Sequence, residues 1–196
     1  MVASIPLKDL PRDKRGVPIG YTSVTTVLSP YSGLKDIDPI VVQNAADRGT
    51  RVHKFCEMYA KDLLIVEPDF DCKGYVESYK RWFDYMVVKP LYIEERVDNE
   101  ELKLSGGIDL VAYLKGDELP SVVDIKTPAN ASNSWQLQTA AYKILLEKEL
   151  GIKIGRRIAL KLPKDGSTAK VCEYIDHERD MQMYIKALEV YRFFNG

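Results

Sequence analysis

The sequence predicts an α+β fold in which a central mixed β-sheet is flanked by helices. Three observations point to it. Apolar residues recur at helical spacing through residues 38–88, apolar and polar residues then alternate with strand period from Leu91 to Lys126, and a helical segment, a hairpin and a last helix follow. With 196 residues, 45% of them hydrophobic, the chain can bury a sizeable core. No repeat, low-complexity tract or long linker divides it, so residues 1–196 are expected to form one domain: a mainly helical part over 1–90, a sheet with its helix over 91–175, and a C-terminal helix over 176–196.

Asp38 followed by Pro39 reads as an N-cap with proline at the first helical position, opening a helix to Asp47. Gly49 is expected to interrupt it, and Thr50 to cap a second helix to about Leu64 with Val52, Phe55, Tyr59 and Leu63 on one side. A third helix, about Tyr75 to Val88, carries Tyr75, Tyr79, Trp82, Phe83 and Met86 as a core-facing stripe. Leu91–Val97, Lys103–Leu114 and Ser121–Lys126 read as strands, the last two joined by the turn Lys115-Gly116-Asp117-Glu118. Pro128 ends the sheet. Ser134–Leu150 is helical and closed by Gly151, Arg156–Leu162 and Ala169–Ile175 form a hairpin, and a final helix, about Glu178 to Phe194, buries Met181, Tyr184, Ile185, Leu188 and Tyr191.

Composition excludes several classes. No apolar run approaches the ~18 residues of a membrane span, and the N-terminus lacks the apolar centre of a secretory signal, so no membrane partner and a cytoplasmic location are expected. Cys56, Cys72 and Cys172 are odd in number and form no C-x-x-C pair, which argues against a disulfide framework or a zinc ribbon and for buried thiols. A net charge of -1 argues against coating nucleic acid through bulk charge. The distribution is uneven, however: Leu91–Leu119 holds eight acids against three bases, and Gly151–Lys170 six bases against one acid. Such asymmetry suits a site that holds cations and touches a polyanion.

Two carboxylates carry the chemistry. Asp109, in Gly106-Gly107-Ile108-Asp109-Leu110-Val111, is embedded in an apolar strand, where an unpaired charge costs several kcal/mol. Asp124 lies in Val122-Val123-Asp124-Ile125-Lys126, and strand alternation puts Asp124 and Lys126 on one face with Ile125 on the other. If the two strands pair through the Lys115–Glu118 turn, the carboxylates converge and repel unless a cation sits between them. Oxygen ligands favour Mg2+ or Mn2+, and Lys126 can stabilise an anionic nucleophile or a phosphate oxygen.

The order G-G-x-D, D-I-K at a strand end, and Gln138-Thr139-Ala140-Ala141-Tyr142 on the next helix resembles the PD-(D/E)XK nuclease superfamily, RecB-like branch. Arg48-Gly49-Thr50-Arg51-Val52-His53 resembles the branch's histidine-bearing helix, and Val24-Thr25-Thr26-Val27-Leu28 a segment that precedes it in phage-type members. The resemblance covers roughly Tyr21 to Pro163 and implies a restriction-endonuclease-like α/β architecture with an N-terminal helical cap. It implies that His53, Asp109, Asp124 and the Ile125 backbone carbonyl hold one or two Mg2+ or Mn2+ ions, that Lys126 orients or activates water, and that Gln138 and Tyr142 hold the lysine or a phosphate. Glu57 is expected to orient His53. Alternation lets only one of Glu94 and Glu95 face the site without choosing between them, and Glu95 is carried as the candidate. Arg48, Arg51, Arg156, Arg157 and Lys161 are expected to contact the DNA backbone irrespective of base sequence.

The activity implied is metal-dependent exonuclease cleavage of DNA ends in recombination, replication or repair, in a bacterial or phage-infected cell, like small phage-type or mitochondrial-type exonucleases. A recombinase, polymerase or single-strand-binding protein would be a partner by the same analogy. The three cysteines lack the family's four-cysteine cluster arrangement, so no iron–sulfur cluster is expected. A structure-specific endonuclease or nickase of the same fold, and a non-catalytic nucleic-acid-binding or inhibitory protein, are the alternatives.

Overall fold

A computed structural model describes residues 7–33, 37–63 and 66–195. Among these, short 3-10 turns at Leu7–Asp9 and Ser29–Tyr31 accompany β1 (Thr22–Ser23), α1 (Val24–Leu28), α2 (Pro39–Ala60), α3 (Lys73–Met86), β2 (Val87–Asn99), β3 (Leu104–Leu114), β4 (Ser121–Lys126), α4 (Ser134–Leu150), β5 (Arg157–Lys161), β6 (Lys170–Glu173) and α5 (His177–Asn195). The strands form one mixed six-stranded sheet ordered β1-β3-β4-β5-β6, with β2 on the other edge of β3. β1 is parallel to β3 and β4 to β5, while β2–β3, β3–β4 and β5–β6 are antiparallel. The α+β expectation of a mixed sheet with flanking helices holds.

Each face of the sheet carries its own core. On one, Val24, Val27 and Leu28 of α1, Ala141, Tyr142, Leu145 and Leu146 of α4, and Tyr184 and Leu188 of α5 pack on Leu104, Ile108, Val111 and Val122. On the other, Val52 and Cys56 of α2 and Tyr75, Tyr79 and Trp82 of α3 pack on Leu110, Ala112, Leu114, Val123, Ile125, Ile158 and Leu160. The aromatic stripe of α3 is therefore core. Gly106 lets α4 approach β3, since a Cβ there would lie 2.6 Å from Leu145 Cδ1.

Several elements differ from expectation for local reasons. α2 runs unbroken through Gly49, a residue that costs a helix interior only about 1 kcal/mol, and Val52 and Cys56 anchor it beyond. Thr50 accordingly does not cap; its Oγ1 donates to the Ala46 carbonyl one turn back. Leu64, the expected end of that helix, lies outside the described residues, and Leu63 is exposed. α3 passes directly into β2 at Val87, four residues before the expected start. The segment at Val24 is a helix, capped by Ser23 Oγ accepting from the Thr26 amide at 3.1 Å. Met181 of α5 is exposed, and Ala187 takes a buried place on that helix. Cys56 and Cys72 are buried free thiols, whereas Cys172 is half-buried.

Candidate metal and catalytic site

The site lies where the sheet opens. β3 and β4 pair only at Leu110–Val123, Val111–Val122 and Ala112–Ser121, and β1 meets β3 only at Leu104 and Ser105. Between these contacts the β4-facing edge of β3 is free of strand pairing. Asp109 sits in this gap, and its Oδ2 accepts from the Ile125 amide at 2.6 Å, so a side chain takes a donor the ladder leaves over. Amide and carbonyl of one strand residue point to the same edge, so the Ile125 carbonyl also looks toward β3. The inward alternation of β3 changes phase here. Ile108 faces α4, whereas Leu110 faces α2 and α3.

His53, Glu94 and Asp109 form a group whose ligand atoms all lie within 4.8 Å of one another. α2 brings His53 down onto the gap, with Nδ1 3.3 Å from Asp109 Oδ1 and 3.6 Å from Glu94 Oε1. Burial opposes a charged imidazole, but Asp109 and Glu94 outweigh it and hold the His53 pKa well above its ordinary value. Burial raises the Glu94 pKa against the pull of His53. Asp109 is almost fully buried; burial works against its charge, yet His53, the Ile125 amide and Lys126 together keep its pKa below the usual carboxylate value. Two acids and an imidazole from three elements, mutually close, are a donor set suited to a divalent cation. Glu94, and not the candidate Glu95, is the acid that faces the site. Glu94 has φ of 50°, a left-handed conformation rare for a non-glycine residue, and this twist defeats simple alternation.

Asp124 stands on the α4 side of the gap, 2% exposed. Its Oδ1 accepts from Gln138 Nε2 at 2.9 Å, and Lys126 Nζ lies 2.7 Å from its Oδ2. The Lys126 ammonium is thus the one donor facing Asp124 Oδ2, which takes no further hydrogen bond. Burial, reinforced by Asp109 and opposed by Lys126, pushes the Asp124 pKa up to about 6. Gln138 Oε1 accepts from Lys126 Nζ at 2.8 Å, while its Nε2 also donates to the Tyr142 hydroxyl at 2.7 Å. The i, i+4 spacing on α4 thus joins Asp124, Lys126, Gln138 and Tyr142 in one network. Lys126 Nζ also lies 5.8 Å from the ring centroid of buried Trp135. Trp135 was not anticipated, although its place one turn before Gln138 on the same helix is a readable signal.

Other expected site residues lie elsewhere. Both Glu57 oxygens are occupied, by Lys54 at 2.7 Å and Lys61 at 2.8 Å, so Glu57 does not orient His53. Glu95 is exposed on the strand beside Glu94. Arg157 is fully buried among Gln136, His177 and Asp180 and cannot reach DNA. Arg51 pairs with Asp69 and Asp71, each at 2.7 Å. Those acids, with Cys72, form the other ligand-like group among the described residues, but Arg51 already pairs with both carboxylates. Arg156 pairs with Asp117 and Glu173, Arg48 stacks over Tyr75 at 5.7 Å, and Lys161 donates to the Ala129 carbonyl.

No family model and no curated protein matches the chain. Among solved structures, one from Eubacterium rectale named a "putative exonuclease" superposes with a TM-score of 0.54 at 11% identity, over 87% of this chain and 78% of that one. A second, the protein SSO0001, reaches a TM-score of 0.37 at 12% identity over 87% and 76% of the two chains. The first match shows shared fold. The six-stranded mixed sheet with its flanking helices is consistent with a restriction-endonuclease-like fold. Among the described residues, no helix is long and apolar enough to cross a membrane.

Proposed function

We propose that the chain is a divalent-metal-dependent nuclease of the PD-(D/E)XK type, RecB-like branch, that hydrolyses phosphodiester bonds at DNA ends. The observation that carries this is the gap between β3 and β4, where Asp109 and the Asp124–Lys126 pair meet His53, Glu94 and Gln138. A solvated ion pair would not gather a glutamate, a histidine and a lysine around a nearly buried Asp109 and a buried Asp124. The fold match to a structure named for exonuclease activity agrees with the reading.

Asp109, Glu94 and His53 would hold the cation, and Asp124, whose Oδ2 faces the Lys126 ammonium, would add a carboxylate from the other wall. A bound Mg2+ or Mn2+ supplies Lewis acidity toward a phosphate oxygen and a lowered pKa for water. Lys126 positions the attacking water and offsets charge on the phosphate, while Gln138, bonded to Lys126, Asp124 and Tyr142, fixes where the ammonium sits. Lys126, Lys161 and Lys170 stand at one level on three adjacent strands, paired Lys126–Lys161 and Lys161–Lys170. Like charges placed directly opposite cost stability, and a polyanion lying across the row offsets that cost. Lys170 joins the expected Lys161 as a backbone contact of this edge in place of the buried Arg157, Lys161 giving up its bond to the Ala129 carbonyl.

The test is cleavage of end-labelled linear single-stranded and duplex DNA, with closed circular DNA as control, in Mg2+, Mn2+ or EDTA, beside Lys126→Ala. Metal-dependent loss of linear DNA that spares circles and vanishes in the variant is the expected result. Cleavage of circles at the same rate makes the enzyme an endonuclease. DNA binding without turnover under every condition overturns catalysis.

A further inference from the structure

Arg157 is fully buried and still uses every edge of its guanidinium. Nε donates to His177 Nδ1 at 2.8 Å, Nη1 to the Gln136 carbonyl at 3.0 Å and Nη2 to Asp180 Oδ2 at 2.5 Å. Asp180, itself buried, spends its other oxygen on the Gln136 side-chain amide. One arginine on β5 thus grips the same α4 residue twice, by its carbonyl directly and by its side chain through α5. His177 Nδ1 accepts, so its imidazole is neutral in this arrangement.

Stability does not explain the cluster. A buried ion pair returns little net free energy, and apolar residues of similar volume often serve as well or better. What directed hydrogen bonds supply is orientation. At the start of α4 Asn133 makes no side-chain capping hydrogen bond, and Ser132 takes the first amides instead, its Oγ accepting from Ser134 N at 3.2 Å and its carbonyl from Trp135 N at 3.1 Å; these bonds tie the turn only to its own loop, whereas the Arg157 cluster ties it to β5 and α5. Gln136 is two residues before Gln138, whose amide must face Lys126 with its oxygen and Asp124 and Tyr142 with its nitrogen. A rotation of the first turn by one residue, about 100° on a helix, would turn Gln138 out of the gap. On β5, Arg157 is opposite Val122, two residues before Asp124, so the clamp and the site share neighbouring rungs.

We propose that Arg157, together with Asp180, is a positioning residue: it sets the first turn of α4 so that Gln138 holds Lys126 against Asp124. The inference rests on the proposed nuclease function only where turnover is the readout.

The decisive variant is the double substitution Arg157→Met with Asp180→Leu, which fills the space with apolar atoms and leaves no buried charge unpaired. It is compared with the wild type by thermal denaturation, by the Gln138 side-chain amide signals in a 15N–1H spectrum, identified by their absence in Gln138→Ala, and by turnover on end-labelled linear DNA in Mn2+. The expected result is a folded protein whose Gln138 amide signals lose their hydrogen-bonded shift and exchange protection. Turnover should fall by about 100-fold with KM little changed, the loss associated with a misplacement of about 1 Å. Arg157→Lys, which keeps the charge opposite Asp180 but lacks the fork, covers the case in which the double variant does not fold; it should show the same spectral change in milder form. Wild-type Gln138 signals in a folded variant of either kind overturn the proposal. If the wild type cleaves nothing, the nuclease function fails, and the Gln138 signals alone decide the clamp.

Discussion

Neutralising Asp124 should stabilise the metal-free protein at neutral pH. Its carboxyl is 2% exposed, and burial, against the pull of Lys126 and with the repulsion of Asp109, raises its pKa from 3.8 to about 6. A folded-state pKa above the unfolded one means that the folded protein holds the proton more tightly. The stability tied to that proton is complete below about pH 4 and is lost as pH rises through about 6. Two pKa units correspond to about 3 kcal/mol that the ionised wild type forgoes at pH 7.5 relative to a neutral isostere. In Asp124→Asn the new amide faces the Lys126 or Gln138 donors and gives back about 1 kcal/mol, leaving a gain of about 2 kcal/mol. For a chain of this length that is about 4–8 °C in Tm. Urea and thermal denaturation in EDTA from pH 4 to 8 should show the variant ahead at pH 7.5 and the advantage gone at pH 4. Mn2+ should reverse the order, because the wild type alone offers an anionic oxygen at this position. A variant less stable than wild type at pH 7.5, with the deficit shrinking toward pH 4, would show that the Lys126 ion pair outweighs burial, and the reasoning would fail.

Three further outcomes follow from the same geometry. Mn2+ binding at pH 6 should release the proton of His53, whose folded pKa is raised, together with about half a proton from Asp124, so affinity climbs with pH; calorimetry in buffers of different ionisation enthalpy reads the protons, and His53→Ala should remove the larger share. Glu94→Gln should weaken Mn2+ binding at least about tenfold, about 1.4 kcal/mol, while Glu95→Gln leaves it unchanged; equal effects would undo the assignment of Glu94. Gly106→Ala should cost about 1–3 kcal/mol in denaturant titration, because its Cβ would sit 2.6 Å from Leu145 Cδ1 and 3.2 Å from Tyr142 Cδ1. Gly107→Ala meets only the guanidinium end of the Arg96 side chain, at 3.4 Å, and should cost clearly less.

What sequence could reveal about this protein follows the range of the physical rule used. Period two put Asp124 and Lys126 on one strand face and i, i+4 spacing put Gln138 and Tyr142 on one helix face; that the two pairs belong together was implied by the family resemblance, and the structure joins all four. The hairpin and the mixed sheet were legible from the same local periods. Arg157 was not. A count of positive charge between Gly151 and Lys170 treats every base as a surface group, and nothing local marks one whose partners are Gln136, His177 and Asp180. Gly49 misled in the opposite sense, since a local helix weakness was overridden by the burial of Val52 and Cys56.

The choice between Glu94 and Glu95 shows where period-based reasoning stops. Alternation presumes extended backbone on both sides, and Glu94 leaves that region at φ 50° just where the phase of β3 also changes around Asp109. The same few residues mark the end of β3–β4 pairing and the unpaired Ile125 amide that Asp109 captures. A regular sheet there would have sent the Asp109 carboxylate into one core or the other, where it would meet only apolar atoms. The irregularities are what turn it into the opening, within reach of an imidazole from one helical layer and beside a lysine held from the other. Several rules of strand geometry fail together at this one place, and it is where the ionisable groups gather, as expected when local strain is kept for chemistry rather than for packing.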